Sequence, residues 1–421
     1  MDVRAQQSND VPTPVVGLFA NVANAAGPYA NYQILRSQGP IHWCDDLFDG
    51  AWVLTTFQGV RDALRDSRLS ARRTGGWVMR TTGRHRNERE KRLALQRCLS
   101  RSMLFLDNPK HHRLRMAIQA GFRLSNIDAL RPFARQSVQE LLSKAEIVCS
   151  ENGNFDFVET VARILPTRII MKLLGLPSDE EADFLVWSKK IATFLGSTNP
   201  SSSDVMEAQE GIVGITQSIR RSIRSLSRGL YGSLILALKQ ESDSDEAIAE
   251  LTVQCAMLLF AGLETTRHLL STGAYWISKQ PDFWTAAKND PKILKPWVRE
   301  LLRWDSPVQY TGRRANSDFE LFGRKIRRGQ LVLPLIGSAN RDPAEYAEPD
   351  DMRIDRRLTL PLSFGFGTHV CVGAGLTMME AEVAFEEMVR RWDALKPVGG
   401  ETDWVAAPLY RGPLRLLFSI N

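Results

Sequence analysis

The sequence predicts a mainly α fold with a smaller β component, on three observations. Across residues 109–280 apolar side chains recur at spacings of three and four, as in helices that bury one face. One stretch, residues 246–278, keeps this up over roughly 30 residues, a helix of about 45 Å that could cross the whole molecule. Short runs at residues 41–44, 51–55 and 319–336 are rich in aromatic and β-branched residues instead, and read as strands.

The elements follow in order. Residues 1–26 form an N-terminal extension, and residues 27–421 a single domain, because no repeat, low-complexity tract or long linker interrupts them. Gly27-Pro28-Tyr29 leads into a short helix that ends at Gly39-Pro40, followed by the first two strands. The helical middle breaks at Gly153, Pro177, Pro200 and Asp243-Ser244-Asp245. After the later strands, which turn at Arg328-Gly329, irregular chain runs to Phe364, and a last helix follows Cys371 to about Trp392.

Composition narrows the class. The 421 residues are 43% apolar and 24% charged, ordinary for a folded protein, and the length exceeds a usual single core, which favours a large, cofactor-organised domain. Five cysteines (Cys44, Cys98, Cys149, Cys255, Cys371), widely spaced and without a Cys-x-x-Cys pair, argue against a disulfide framework and a zinc site. The first 28 residues carry neither a signal-peptide pattern nor an apolar run of anchor length, so a cytoplasmic protein without a membrane anchor is expected. The net charge of +6 is concentrated: residues 71–102 hold ten Lys/Arg against Glu88 and Glu90. This is a solvated basic face, or a docking surface for an acidic partner or substrate; nucleic acid is disfavoured because no recognition motif accompanies it.

Two segments carry chemistry. Phe364-Gly365-Phe366-Gly367-Thr368-His369-Val370-Cys371-Val372-Gly373-Ala374-Gly375 sets one cysteine among four glycines just before a helix. Glycines let backbone approach a flat ligand, and a helix N-terminus stabilises a thiolate. The other four cysteines read as structural. Inside the long helix, Phe260-Ala261-Gly262-Leu263-Glu264-Thr265-Thr266 places an acid and a hydroxyl in an apolar run, where Thr265 could bond a carbonyl one turn back and open a groove at Gly262.

The first segment resembles the haem-binding signature of the cytochrome P450 family, Phe-x-x-Gly-x-His-x-Cys-x-Gly, met by Phe364, Gly367, His369, Cys371 and Gly373. The second is similar to that family's central-helix motif, and the resemblance spans residues 27–417 in the family order. It implies the P450 fold and haem b, with Cys371 as the iron ligand and Ala261 and Gly262 beside the ring. Glu264 and Thr265 would be the acid–alcohol pair that passes protons to dioxygen, while Arg267 and His268 would be structural. Propionate partners by resemblance are His111 and Arg115, four apart on one helix face, with Arg313 and His369. Glu300, Arg303 and Arg356 match a structural triad, although Met352-Arg353 stand where the family usually has Phe-Asp, and Thr377-Met378-Met379 depart from the usual Ala-Arg before Glu380.

The implied activity is monooxygenation of an apolar small molecule, with electrons from NAD(P)H through a ferredoxin reductase and a ferredoxin docked near Lys110, His112 and Arg113. Trp77, Val78, Phe194, Phe260, Ala261, Val308 and Leu409 would line the substrate pocket, suiting a terpenoid, in particular a diterpenoid of bacterial secondary metabolism. The basic segment leaves open a carboxylated or carrier-protein-bound substrate, with Arg80 and Arg84 as the residues to test. A peroxide-using or isomerising enzyme, or a non-catalytic haem sensor, would need no Glu264–Thr265 pair.

Overall fold

The structure, a computed structural model, describes residues 18–19, 22–74, 78, 86–222, 244–356 and 361–420. The chain opens with helix α1 (Tyr29–Gln38), the hairpin β1 (Ile41–Cys44) and β2 (Ala51–Leu54), helix α2 (Phe57–Ala63) and the short β3 (Leu69–Ser70). Helices then dominate: α3 (Arg86–Arg101), α4 (Lys110–Gly121) and α5 (Leu124–Asn152) come before β4 (Phe155–Asp156). After it run α6 (Ile164–Leu174), α7 (Glu181–Gly196), α8 (Ser202–Ser222) and the 34-residue α9 (Ser244–Ile277). Next are α10 (Pro281–Asn289), α11 (Leu294–Trp304), β5 (Arg313–Ala315), β6 (Phe319–Leu321), β7 (Arg324–Ile326), β8 (Leu331–Pro334) and α12 (Ile336–Ala339). The chain closes with α13 (Ala374–Arg391), β9 (Leu395–Pro397) and β10 (Leu417–Ile420).

The expected helix at residues 246–278 is therefore α9, about 51 Å long, and it is the axis of the fold. Every residue from 251 to 260 is buried, so this stretch is covered on every side, and the helix packs against α6, α7, α8 and α13. By length and composition alone it could cross a membrane, but it is the core helix here: 61% of its most apolar window is buried inside the protein.

The strands form a five-stranded sheet, β1-β2-β8-β5-β3, antiparallel except for the parallel β2–β8 pair. A three-stranded sheet, β4-β10-β9, and the β6–β7 hairpin complete the β component. The run expected at 319–336 is thus three short strands, because the positive φ at Phe322 and Gly323 and again at Gly329 turns the chain twice.

Two polar buried clusters fix this framework. Asp305, after α11, accepts from Tyr29 Oη (2.6 Å), Arg411 Nε (2.9 Å) and Trp276 Nε1 (3.1 Å). Arg411 in turn donates to the carbonyls of Val22, Asn24 and Ala25, and Leu18 and Phe19 pack with Tyr32 and Tyr310. The fold therefore starts before residue 27, and the extension expected to end at residue 26 is shorter; residues 1–17 lie outside the described residues.

The second cluster is the expected triad. Glu300 and Arg303, three apart on α11 and both fully buried, pair through two bonds of 2.9 and 2.6 Å, and Arg356 Nε reaches Glu300 Oε1 at 3.0 Å. Met352-Arg353 does not disturb it: the Arg353 amide also donates to Glu300 Oε1 (2.9 Å).

Candidate active site

Between α9 and the loop before α13 lies a cavity of about 760 Å³. The loop side is set by backbone. Gly365 and Gly367 both have φ of +72°, in the region that side chains disfavour, and a Cβ on Gly367 would meet the Leu64 carbonyl at 3.0 Å. The Cys371 amide donates to Phe364 O (2.7 Å), closing a loop whose sulfur faces the cavity. Burial pushes the Cys371 thiol up, opposed by the Gly373 and Ala374 amides at the start of α13 and by Arg115. Those amides are the arrangement expected of a cysteine at a helix N-terminus. Phe364, His369 and Gly373 share this wall, whereas Gly367 does not reach it and serves the turn alone.

Opposite the sulfur stands α9, with Phe260, Ala261, Gly262, Thr265 and Thr266 on the wall. Thr265 Oγ1 donates to Ala261 O at 2.9 Å, as its position predicts, and nothing lies within 4 Å of where a Gly262 Cβ would be. Glu264 is not on the wall. It is buried behind it, accepting from Arg267 Nε (2.9 Å) and Nη2 (2.7 Å), with His268 Nε2 at 3.9 Å. One residue along a helix turns a side chain by about 100°, so Glu264 and Thr265 cannot both face the cavity squarely.

The rim is basic. His111, Arg115, Arg313 and His369 all line the cavity, so four residues distant in sequence meet as expected. The His111 and His369 rings lie 4.0 Å apart, and burial first, then neighbouring positive or imidazole groups, push them down to about 4 and about 3, so both are neutral near pH 7. Arg115 Nη1 donates to Val370 O (2.6 Å), beside the sulfur.

Substrate-side expectations divide. Phe260, Val308 and Leu409 line the cavity. Phe194 does not: it is fully buried away from it, and its neighbour Leu195 takes the wall position, a phase difference of one residue on α7. Val78 is likewise packed into the core, and Trp77, Arg80 and Arg84 lie outside the described residues. Arg113 is half-buried and pairs with Glu250 of α9 at 2.6 Å, while Lys110 and His112 are exposed.

Among the wall residues without a sequence-based expectation of a role are Arg73, Tyr410 and Glu380. Arg73 is one of ten basic residues in its segment and nothing in the pattern distinguishes it. Glu380 was visible on the last helix, but its setting was not. Its Oε2 has no hydrogen-bond partner, and burial raises its carboxyl from 4.5 to about 8. Nearby on the same wall, the Thr266 and Thr377 hydroxyls lie 3.4 Å apart.

A raised folded value means that the stability Glu380 permits is complete below its unfolded value and is lost as pH rises towards 8. Glu380→Gln is therefore expected to raise the melting temperature relative to the parent at pH 8 but hardly at pH 5; a pH-independent difference in thermal melts would contradict this.

A thiol loop, an alcohol-bearing helix face across the cavity from it and a basic rim define an oxygenase-type cofactor cavity. Comparison with known proteins agrees. The family model for Cytochrome P450 matches residues 11–404. The chain is 31% identical to cytochrome P450 monooxygenase PikC of Streptomyces venezuelae, over 97% of this chain and 95% of that one. It is also 31% identical to the mycinamicin IV hydroxylase/epoxidase of Micromonospora griseorubida, over 87% and 88%. Among solved structures, the tirandamycin C-bound P450 monooxygenase TamI superposes with a TM-score of 0.78 at 30% identity, covering 94% of this chain and 97% of that one. The chain belongs to the cytochrome P450 family and is a cytochrome P450 monooxygenase.

Proposed function

We propose that this cavity binds haem b with Cys371 Sγ on the iron, and that the enzyme inserts one oxygen atom into a hydrophobic small molecule. The observation that carries this is that Cys371 and the Ala261–Thr265 face of α9 line one cavity, in a chain of the P450 family. The residues present fit the group: a glycine-rich loop that allows close approach, and a rim of Arg and His groups suited to two propionates. Bound haem supplies the activation of dioxygen.

The chain's own residues do the rest. Thr265 Oγ1 spends its proton on Ala261 O, which leaves its lone pairs to accept from a water in the cavity. Glu264, pinned by Arg267, delivers protons only by turning from Arg267 towards Thr265, so the ion pair gates the supply. Thr265→Ala is expected to leave NAD(P)H consumption in place while product formed per NAD(P)H falls on the order of tenfold and hydrogen peroxide appears. Unchanged coupling would contradict the assignment.

The apolar wall of Phe260, Leu195, Val308 and Leu409 supports a hydrophobic substrate such as a terpenoid, and the relatives named for mycinamicin IV and tirandamycin C support a place in bacterial secondary metabolism. Arg314, Arg327 and Arg328 at the outer end of the cavity favour a second reading, a carboxylated or carrier-linked substrate. A screen of free terpenoids, their acids and carrier-linked acyl groups for a water-displacing Soret shift separates the two. Electrons would come from NAD(P)H through a ferredoxin reductase and an acidic ferredoxin near Lys110, His112 and the Arg61 and Arg65 guanidinium groups stacked on Phe366. Five free cysteines support a reducing, cytoplasmic setting.

A further inference from the structure

Arg73, three residues after β3, lies on the cavity wall with its guanidinium 4.7 Å from the Phe105 ring centroid. Its stem crosses Gly312, where a Cβ would come within 2.8 Å of Arg73 Cδ, so only glycine lets it lie there. Its one hydrogen bond is to Ala71 O (3.2 Å), and among the described residues no carboxylate pairs with it.

Beside it is Arg313, 5% exposed, donating to Gly312 O (2.9 Å). The acid that Arg313 feels, Asp107, already accepts from Ser70 Oγ and the Ala71 amide. Burial pushes both guanidinium groups down, Arg73 to about 9 and Arg313 to about 10, and Arg313 adds to the effect at Arg73. A half-buried and a buried cation on one wall, neither ion-paired to a carboxylate among the described residues, favour an anion that enters between them.

Haem brings two carboxylates. His111, Arg115, Arg313 and His369 share the rim of the same cavity. Arg73 adds a further guanidinium to that rim, beside Arg313.

We propose that Arg73 is a haem-anchoring residue, a second guanidinium beside Arg313 that holds a propionate; this rests on the haem reading above. The test uses holoenzyme of the parent, Arg73→Ala and Arg73→Lys, with Arg68→Ala, an exposed residue paired with Asp66, as the control outside the cavity. Two quantities are read: the rate of haem transfer to excess apomyoglobin, and the propionate bending bands in the resonance Raman spectrum.

Arg73→Ala is expected to release haem about tenfold faster, the loss of one charge-assisted bond, and to shift a propionate band. Arg73→Lys, which keeps the charge, should fall between, and should decide the matter if the alanine variant does not fold. Arg68→Ala should behave as the parent, and the thiolate band of the ferrous carbon monoxide complex should stay in place throughout. Parental release and parental Raman bands in both Arg73 variants would overturn the assignment, as would weaker binding of a carboxylated ligand with haem release unchanged, which gives Arg73 to the substrate. Absence of the thiolate band in the parent itself would remove the haem reading and this inference with it.

Discussion

Arg303→Ala is expected to cost about 3 to 5 kcal/mol and to yield protein without haem, because it leaves a fully buried Glu300 short of its main partner. The loss spreads further than the pair. Arg303 also donates to the carbonyls of Asn340, Pro349 and Asp351, at 2.9, 2.7 and 3.0 Å, so one truncation removes a donor from three carbonyls, that of buried Asn340 among them, in the chain that leads to the thiol loop. That chain is coupled to the loop directly: Asn340 Oδ1 accepts from the Leu362 amide (3.1 Å), and its Nδ2 donates to Ser363 Oγ (2.8 Å), one residue before Phe364. The Cys371 loop is thus held in place from α11 through Asn340. Arg303→Lys should fail nearly as badly, since an ammonium cannot reproduce a fork that bonds Glu300 twice and the carbonyls besides. Denaturant melts and the haem-to-protein absorbance ratio check both; a variant with parental stability and full haem content would contradict this account of the triad.

What the sequence disclosed follows from how local each feature is. The thiol loop could be read because its glycines, cysteine and following helix lie within a dozen residues and serve one backbone geometry. His111 and Arg115 could be read through their resemblance to the family's His-x-x-x-Arg pattern, whose spacing of four keeps both on one helix face. The long helix could be read from its period and its length.

The remainder depended on contacts between distant elements. Arg113 is spaced like a docking residue, yet its partner Glu250 lies on another helix far along the chain. Glu264 sits in the right motif, but Arg267, one turn on, draws it off the cavity wall. Phe194 and Leu195 are both apolar and adjacent, and only the packing of α7 decides which one meets the cavity. Arg73 reads in the sequence as one more charge in a basic segment, and only the pairing of β3 with β5 brings Arg313, some 240 residues on, beside it.

The most direct measurement is the absorption spectrum of the dithionite-reduced, carbon monoxide-bound holoenzyme, taken on the parent and on Cys371→Ser. Cys371 is the one cysteine of the five that lines the cavity, so it alone can place a sulfur on the iron. The parent is predicted to show the long-wavelength Soret band of thiolate ligation, and Cys371→Ser to lose both that band and turnover. A parent without the band, or a serine variant that keeps band and turnover, would contradict the account.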